Sequence, residues 1–517
     1  MLPLTLLTSA ALAATLDVPT SYGTVQAAVD AATSGDIILV APGTYGESVS
    51  VYKGGLTIQG DGPGVVIGPG PFGFALSHTA GDLLVQDVTL DGGGTHLAVL
   101  SSSSGHLTLE RAVMRNGNTL YGGGLYSTGN DVTVLDSEFH DNVAAYGGGF
   151  YYSGYGEVLV EGSRFLGNTA YQAYGYGAGV ASMGHDLTIR RSTFCGNIST
   201  DTYGRAGGVY HGGYGSFDLE ESVFVGNSAG YGGALFFVTS GDVVNNTFYS
   251  NDGRLSGGAV EVQIGTVLLL NNLFVGQLGP LYAVAEDWYT YSGFLAAGTG
   301  HNLYWDNGGL DTTAGYQPTD VTADPRLAYA VADCTRFDGH LTIGSPAIGA
   351  GDSAGVFDDI GAFEVTDADG DGVLSDADCN DADPSIFPGA PETIADGIDQ
   401  DCDGTDTCYV DGDLDGARTT TTVTGVDASC TAPGEALASA PIDCDDTDAT
   451  FSPLATEVPG DGLDQTCDGI EVCYVDGDAD GVRTDATTFS TDLDCAGGGE
   501  AWATDPDGDC DDADAAV

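Results

Sequence analysis

The chain has 517 residues, with 75 Asp+Glu against 12 Lys+Arg and a formal net charge of −63. That balance excludes a nucleic-acid partner, which needs clustered Lys/Arg, and leaves divalent cations as the natural partners. An apolar fraction of 42%, with 81 Gly, 25 Tyr and 19 Phe, excludes a disordered acidic chain, so a core is expected.

Residues 1–14, MLPLTLLTSAALAA, form an apolar run ending in the small-x-small step Ala11-Leu12-Ala13. This reads as a signal peptide, too short to span a bilayer, and no later run reaches transmembrane length. A secreted protein is expected, in a compartment where disulfides form. Thr24–Ala32 (TVQAAVDAA) has helical apolar spacing and is followed by the strand DIILV and the turn APGTY. It is read as an N-terminal cap over the open end of a sheet, because an uncovered sheet edge invites pairing with other chains.

From Met114 onward one pattern recurs. Met114, Phe139, Phe165, Phe194, Phe224, Phe248 and Phe274 are spaced by 25, 26, 29, 30, 24 and 26 residues. Five residues before each stands an apolar side chain (Leu109, Val134, Val160, Ile189, Leu219, Val243, Leu269). Two before stands Ser137, Ser163, Ser192, Ser222, Asn246 or Asn272, and three after stands Asn142, Asn168, Asn197, Asn227 or Asn251. No long 3.6-residue period runs through these units. A period of this length with several short strands fits one coil of a parallel β-helix, in which identical positions stack ~4.8 Å apart and Asn amides bond from coil to coil. A propeller blade needs ~40–50 residues and is excluded. The segment 344–365 (GSPAIGAGDSAGVFDDIGAFEV) is expected to close the other end.

On these FxxN and GGx-aliphatic repeats (Phe139…Asn142, Phe224…Asn227, Gly232-Gly233-Ala234-Leu235), residues 15–365 resemble the pectin-lyase-like right-handed β-helix superfamily. The repeats are similar to those of chlamydial polymorphic outer-membrane proteins, and the SPAIGAGD…DIGAFE phrase to bacterial secreted β-helix proteins. The resemblance implies fold and surface location, with all-β architecture and a bacterial host.

Composition changes near Val365. Residues 1–366 carry 35 acids and 10 bases, whereas 367–517 carry 40 acids, Arg418, Arg483 and nine of the eleven cysteines. Residues 367–378, DADGDGVLSDAD, form an oxygen-ligand loop of EF-hand type. Asp367, Asp369 and Asp371 stand at positions 1, 3 and 5, the Val373 carbonyl at 7 and Asp378 at 12, where Glu is usual. Further clusters are Asp399/Asp401/Asp403, Asp411/Asp413/Asp415 and Asp476/Asp478/Asp480. Carboxylates this dense repel one another unless a cation neutralises them, and hard oxygen donors suit Ca²⁺.

The phrase DCNDADPSIFPGAPE…DGIDQDCDG (378–404) resembles the MopE-type metal-binding repeat of bacterial surface proteins. It recurs 65 residues on and begins again at DCDDADAAV. The resemblance favours the pairs Cys379–Cys402, Cys408–Cys430, Cys444–Cys467 and Cys473–Cys495, although spacing leaves other connectivities open. Cys510 then has no partner, as expected of a chain stopping mid-repeat. Some proteins of this type are associated with copper. Here every His lies between His78 and His340, no Met lies in the tail, and oxidised cysteines offer Cu(I) little, so calcium is the expected ion.

Polysaccharide cleavage is the rival activity for this fold. No RIK-like or GHG segment occurs; Asp358-Asp359 reads as a turn, and Arg190-Arg191 beside Asp186 is the best lyase candidate. In the repeat register Arg190 faces solvent, so fold alone does not license catalysis. Tyr121, Tyr146, Tyr174, Tyr176, Tyr203 and Tyr231 recur at glycine corners, with Tyr151, Tyr152 and Tyr155 nearby, and stacking would make a strip for sugar rings or a self-packed ladder. The expected protein is a non-enzymatic, secreted or surface-displayed monomer of a bacterium with a calcium-binding tail, serving adhesion to a glycan or cell-surface ligand or a structural role. Its alternative is a polysaccharide lyase or hydrolase.

Overall fold

The computed structural model describes residues 13–70, 74–94, 98–279, 284–286, 293–307, 317–342, 344–352, 359–363, 369–371, 373, 378–509 and 513. The leader read at 1–14 therefore lies almost wholly outside the described residues. The chain forms two compact units, Met1–Val365 and Thr366–Val517.

The first unit is a parallel β-solenoid. Each coil adds one strand to three long faces, a 12-, an 11- and a 10-stranded parallel sheet, and several coils also add to a short 6-stranded one. Registers run in step: Leu109↔Val134↔Val160↔Ile189↔Leu219↔Val243↔Leu269 on the first face, and Met114↔Phe139↔Phe165↔Phe194↔Phe224↔Phe248↔Phe274 on the second. Period-2 alternation sends these side chains inward, where all are buried. Phe165 and Phe194 stack at 4.7 Å with planes 3° apart, as do Phe194 and Phe224.

Two side-chain ladders run the length of the coils. Asn142 Nδ2 donates to Asn168 Oδ1 (3.1 Å), Asn168 to Asn197 (2.9 Å), Asn197 to Asn227 (2.9 Å) and Asn227 to Asn251 (2.9 Å). Each of these amides also donates to a backbone carbonyl of the preceding coil, such as Phe165 O from Asn197 at 2.8 Å. In the second ladder the backbone N–H of each coil donates to the Ser or Asn of the next, from Ser137→Ser163 (3.1 Å) to Asn302→Asp320 Oδ1 (2.9 Å). The turn backbone that the sheets leave over is thus paired by side chains.

Glycine is the residue that most readily takes positive φ at a tight corner, but the corners along the second ladder mostly use other residues. The residue just before each rung of the second ladder takes positive φ, yet it is rarely glycine: Arg111, Asp136, Arg191, Glu221, Asn245 and Asn271 lie between +45° and +57°. Their conformation is held by the coils above and below, so tertiary pairing overrides the local preference for glycine. Glycine is indispensable where coils touch: a Cβ on Gly149 would sit 2.6 Å from Gly179 O.

The helix Val25–Ala31 covers the first coil. Its N-cap Thr24 accepts from Ala27 N (3.0 Å), Glu47 accepts from the N–H groups of Val25 and Gln26 (both 2.9 Å), and Val25, Ala28 and Val29 are buried against the core. The segment after the last coils does not simply close the far end. It runs back along the flank of the solenoid as a strap: Asp359 O accepts from Asn245 Nδ2 (3.1 Å), Ala362 N donates to Thr247 Oγ1 (3.0 Å), and Asp352 N donates to Asn271 Oδ1 (2.9 Å). A hairpin of Leu327–Tyr329 and Asp338–Leu341 precedes it. The disulfide Cys195–Cys334, spanning 139 residues, ties this hairpin to the second face. Neither cysteine belongs to the repeat pattern that pairs the others, and sequence reading missed the bond.

The second unit holds two three-stranded antiparallel sheets, Thr407–Val410 with Thr422–Thr424 and Glu435–Ala436, and Glu471–Asp476 with Thr487–Ser490 and Gly499–Ala501. The four favoured disulfides all form. Its two arginines each lie over a tyrosine of the adjoining sheet, Arg418 over Tyr409 (4.0 Å) and Arg483 over Tyr474 (3.9 Å).

Candidate metal centres

The acidic residues of the second unit gather into two kinds of site. In the first kind a DxDxDG loop wraps on itself. Asp411 accepts from Leu414 N (2.8 Å) and Gly416 N (3.1 Å), and Asp415 from Ala417 N (2.7 Å). Oxygens of Asp411, Asp413 and Asp415 come within 4.8 Å of one another. Asp413 keeps both carboxylate oxygens out of solvent with no well-formed hydrogen bond, only a weak contact from the Asp415 backbone, and Asp415 keeps one. The pKa of Asp413 is raised by burial and then by the charges of Asp415, Asp443 and Asp411.

Asp443, which sequence reading did not single out, adds its charge to this cluster. A backbone pairing brings it in, with Arg418 N donating to Pro441 O (2.8 Å) and Asp443 N to Arg418 O (2.8 Å), and one of its carboxylate oxygens is also buried without a partner. The neighbouring Asp446 accepts from Gly412 N, 2.6 Å away, which closes the loop. The next copy repeats the arrangement. Asp476 accepts from Asp480 N (3.2 Å) and Gly481 N (3.0 Å), and Arg483 N donates to Pro506 O (2.8 Å). The pKa of Asp478 is raised by burial and then by Asp480, Asp509 and Asp476.

In the first loop along the chain the corresponding residue is Asp378, which gathers with Asp369 and Asp371; Val373 N donates to Asp371 Oδ1 (2.7 Å), and Asp367 lies outside the described residues. A common signal was available: Asp378, Asp443 and Asp509 each immediately precede a cysteine of the repeating series. Position 12 of the loop motif holds only in the first copy. In the other two a β-sheet is inserted, and the further carboxylate whose charge reaches the loop comes from the start of the next repeat.

The second kind of site splits the expected trio Asp399/Asp401/Asp403. Asp399 and Asp401 gather with Glu392, whereas Asp403 turns to its own loop and accepts from Thr405 N (2.9 Å). Glu392 Oε1 accepts from the N–H groups of Gln400 (2.8 Å) and Asp401 (2.9 Å), while Oε2 is buried and unpartnered. Burial, and then the Asp401 and Asp406 charges, raise its pKa. Asp406, 1% exposed, bonds Gly397 N through one oxygen (3.0 Å) and nothing through the other. Glu471 holds the equivalent place one repeat on, fully buried, with one oxygen on Gly460 N (2.9 Å) and the other unpartnered. There Thr466 replaces Asp401, so the second copy has one carboxylate fewer. Cys379, Cys402, Cys444 and Cys467 also stand beside aspartates, but their sulfurs are spent in disulfides.

On the solenoid the lyase candidates do not converge. Arg190 pairs with Glu220 (3.1 Å), and Arg191 pairs with Glu161 and with Glu221 (3.7 Å). Asp186 instead accepts from Ser216 N (2.7 Å) and contacts His185. Of the tyrosines, Tyr121 stacks on Tyr146 and Tyr146 packs at a tilt on Tyr176, both at 5.4 Å, and Tyr176 stacks on Tyr210 at 4.4 Å, so their faces are largely spent on each other. Tyr152 points into the core, its hydroxyl bonded to Asn130 O (2.6 Å).

Comparison with known proteins agrees with this division. A family model described as "Putative metal-binding motif", of MopE type, matches residues 378–406 and 443–471. One described as "Right handed beta helix region" matches 73–253. Among solved structures, the crystal structure of pectate lyase Pel9A is similar at 18% identity, covering 68% of this chain and 97% of that one with a TM-score of 0.37. No curated protein matches the chain. The chain thus carries a right-handed β-helix region followed by two MopE-type motifs. Its five disulfides indicate an extracytoplasmic, oxidising setting, and no described helix is long and apolar enough to cross a membrane.

Proposed function

We propose that this is a secreted or surface-displayed bacterial protein that acts by binding rather than cleavage: the solenoid carries a glycan-binding flank and Ca²⁺ is held by the acidic unit. One observation carries the calcium reading. In each loop some carboxylate oxygens are satisfied by the loop's own N–H groups, while Asp371 Oδ2, Asp378 Oδ2, both oxygens of Asp413, Asp443 Oδ2 and Asp478 Oδ2 are withdrawn from water with no well-formed hydrogen bond. A buried anionic oxygen without one is costly, and a hard cation removes that cost. The donors are oxygens alone, with neither imidazole nor thioether in the unit, which favours calcium over copper.

Two measurements test this. Calorimetry with Ca²⁺ is expected to show saturable binding, and chelation with EDTA to speed protease cleavage of 366–517 by about tenfold or more, because loops that lose their ion open more often. Unchanged cleavage together with no calcium heat would sink the reading, and tighter binding of Cu(I) than of Ca²⁺ would replace it. Asp443→Ala is expected to weaken one calcium site by about tenfold or more, whereas Asp445→Ala, whose carboxylate serves Thr447, leaves it unchanged.

The binding role of the solenoid rests on Arg190 and Arg191 being engaged in ion pairs instead of poised as bases. Release of unsaturated products or reducing ends from polysaccharides would overturn it in favour of a lyase or hydrolase.

A further inference from the structure

The outward row of the second face runs Cys195, Val225, Tyr249, Val275, Trp305, one residue per coil. The hairpin lies on the first three. Cys334 is bonded to Cys195, Tyr249 Oη donates to Ala330 O (3.0 Å), and the Phe337 ring lies 5.1 Å from that of Tyr249. Past Tyr249 it stands away from the row. The gap is a cleft of about 590 Å³ with Val275 in its lining, Trp305 and Asp306 on the solenoid side, and Asp324 and Arg326 on the hairpin side.

We propose that this cleft binds a neutral hexose oligosaccharide, with Trp305 as the platform for one pyranose ring. This rests on the reading of the solenoid as a glycan-binding scaffold and names the place and the class of sugar. Trp305 is 39% exposed, and among the described residues no aromatic ring stacks on it, unlike the tyrosine ladder. The indole offers a large apolar face for the C–H side of a sugar. Around it stand acceptors and a forked donor, the set that vicinal hydroxyls need, in a cleft of ligand size. Two carboxylates against one guanidinium, on a chain of net charge −63, disfavour uronic and sulfated sugars. The Cys195–Cys334 bond holds the hairpin side in place.

Calorimetry of the full chain with cellohexaose, mannohexaose, maltohexaose and hexagalacturonate tests the assignment. At least one neutral hexamer is expected to bind, with affinity lost about tenfold or more in Trp305→Ala and Asp306→Asn but kept within about threefold in Trp305→Phe. The double variant Cys195→Ser/Cys334→Ser is expected to weaken binding by about fivefold or more. An unchanged thermal transition in Trp305→Ala separates lost binding from lost folding. Neutral binding that survives Trp305→Ala, or a preference for hexagalacturonate, overturns the cleft and leaves the glycan-binding reading standing. Absence of binding by all four, followed by silence on a broad glycan array, overturns both.

Discussion

Asn197→Ala is expected to destabilise the solenoid by about 3–5 kcal/mol. Asn197 is fully buried, and its carbonyl accepts from the N–H (3.0 Å) and the amide (2.9 Å) of Asn168. Its own amide donates to Phe165 O (2.8 Å) and Asn227 Oδ1 (2.9 Å). Alanine leaves a backbone donor and a backbone acceptor without partners where water does not reach, at roughly 1–3 kcal/mol each, and breaks the ladder at its centre. Because coils contact mainly their neighbours, the loss concentrates locally, and hydrogen exchange should quicken first in the coils around residues 165–230. Tyr155→Ala, on a side chain that is 94% exposed, serves as the control and should change stability by no more than about 0.5 kcal/mol. A loss below about 1 kcal/mol for Asn197→Ala would mean that the amides are not paired coil to coil.

Acidification supplies the second large effect. His211 points inward on the third long face, in the row Tyr152, Ser182, His211, Phe237. It is fully buried beside the Phe217 ring (5.8 Å); neither ring nitrogen makes a well-formed hydrogen bond, and the nearby Gly215 backbone offsets only part of the cost of burial. Burial depresses its pKa from 6.5 to about 4. The unfolded chain therefore binds more protons than the folded one between those values. The stability is fully present above pH 6.5 and is lost as the pH falls toward 4, a loss of about 3 kcal/mol at ~1.4 kcal/mol per unit. His211→Leu should flatten the stability curve of the solenoid over that window without raising the neutral-pH value by a similar amount. His78, in the same row, is the internal comparison: it is also buried, but it bonds Ser102 Oγ (3.0 Å) and Gly81 O (2.8 Å). An identical pH slope in wild type and His211→Leu would show that this imidazole is not the titrating group.

Much of this molecule is legible residue by residue because it repeats. A side chain that recurs every 24–30 residues meets its own copy, so the Phe stack, the Asn ladder and the tail disulfides are each a local pattern multiplied. The same logic reached the DxDxDG loops but stopped short of the carboxylate that folding brings beside them. Asp443 is 32 residues beyond Asp411, and the spacing of the first loop, in which Asp378 stands at position 12, pointed elsewhere. Glu392 and Asp406 were missed for a related reason: they flank the DQDCDG turn instead of lying in it, and they join it only when the backbone folds over. Asp403 has the right letter in the right motif, yet its carboxylate is used by its own turn.

The strap lies beyond the reach of any repeat. Cys195 and Cys334 have no periodic counterpart, and nothing in either neighbourhood marks the other. Sequence alone determined what depends on period and alternation: the parallel coils, the inward and outward residues, the ladders, the boundary near Val365 and the ionic character of the tail. Tertiary structure decided what depends on two unlike segments meeting: the strap and its hairpin on the second face, the cleft at Trp305, and the aspartate brought beside each later acidic loop. The physical reason is that stacking a repeat on itself uses one set of contacts many times over, so the pattern is written many times in the chain. A single long-range contact is written once, and only the folded backbone brings its two halves together.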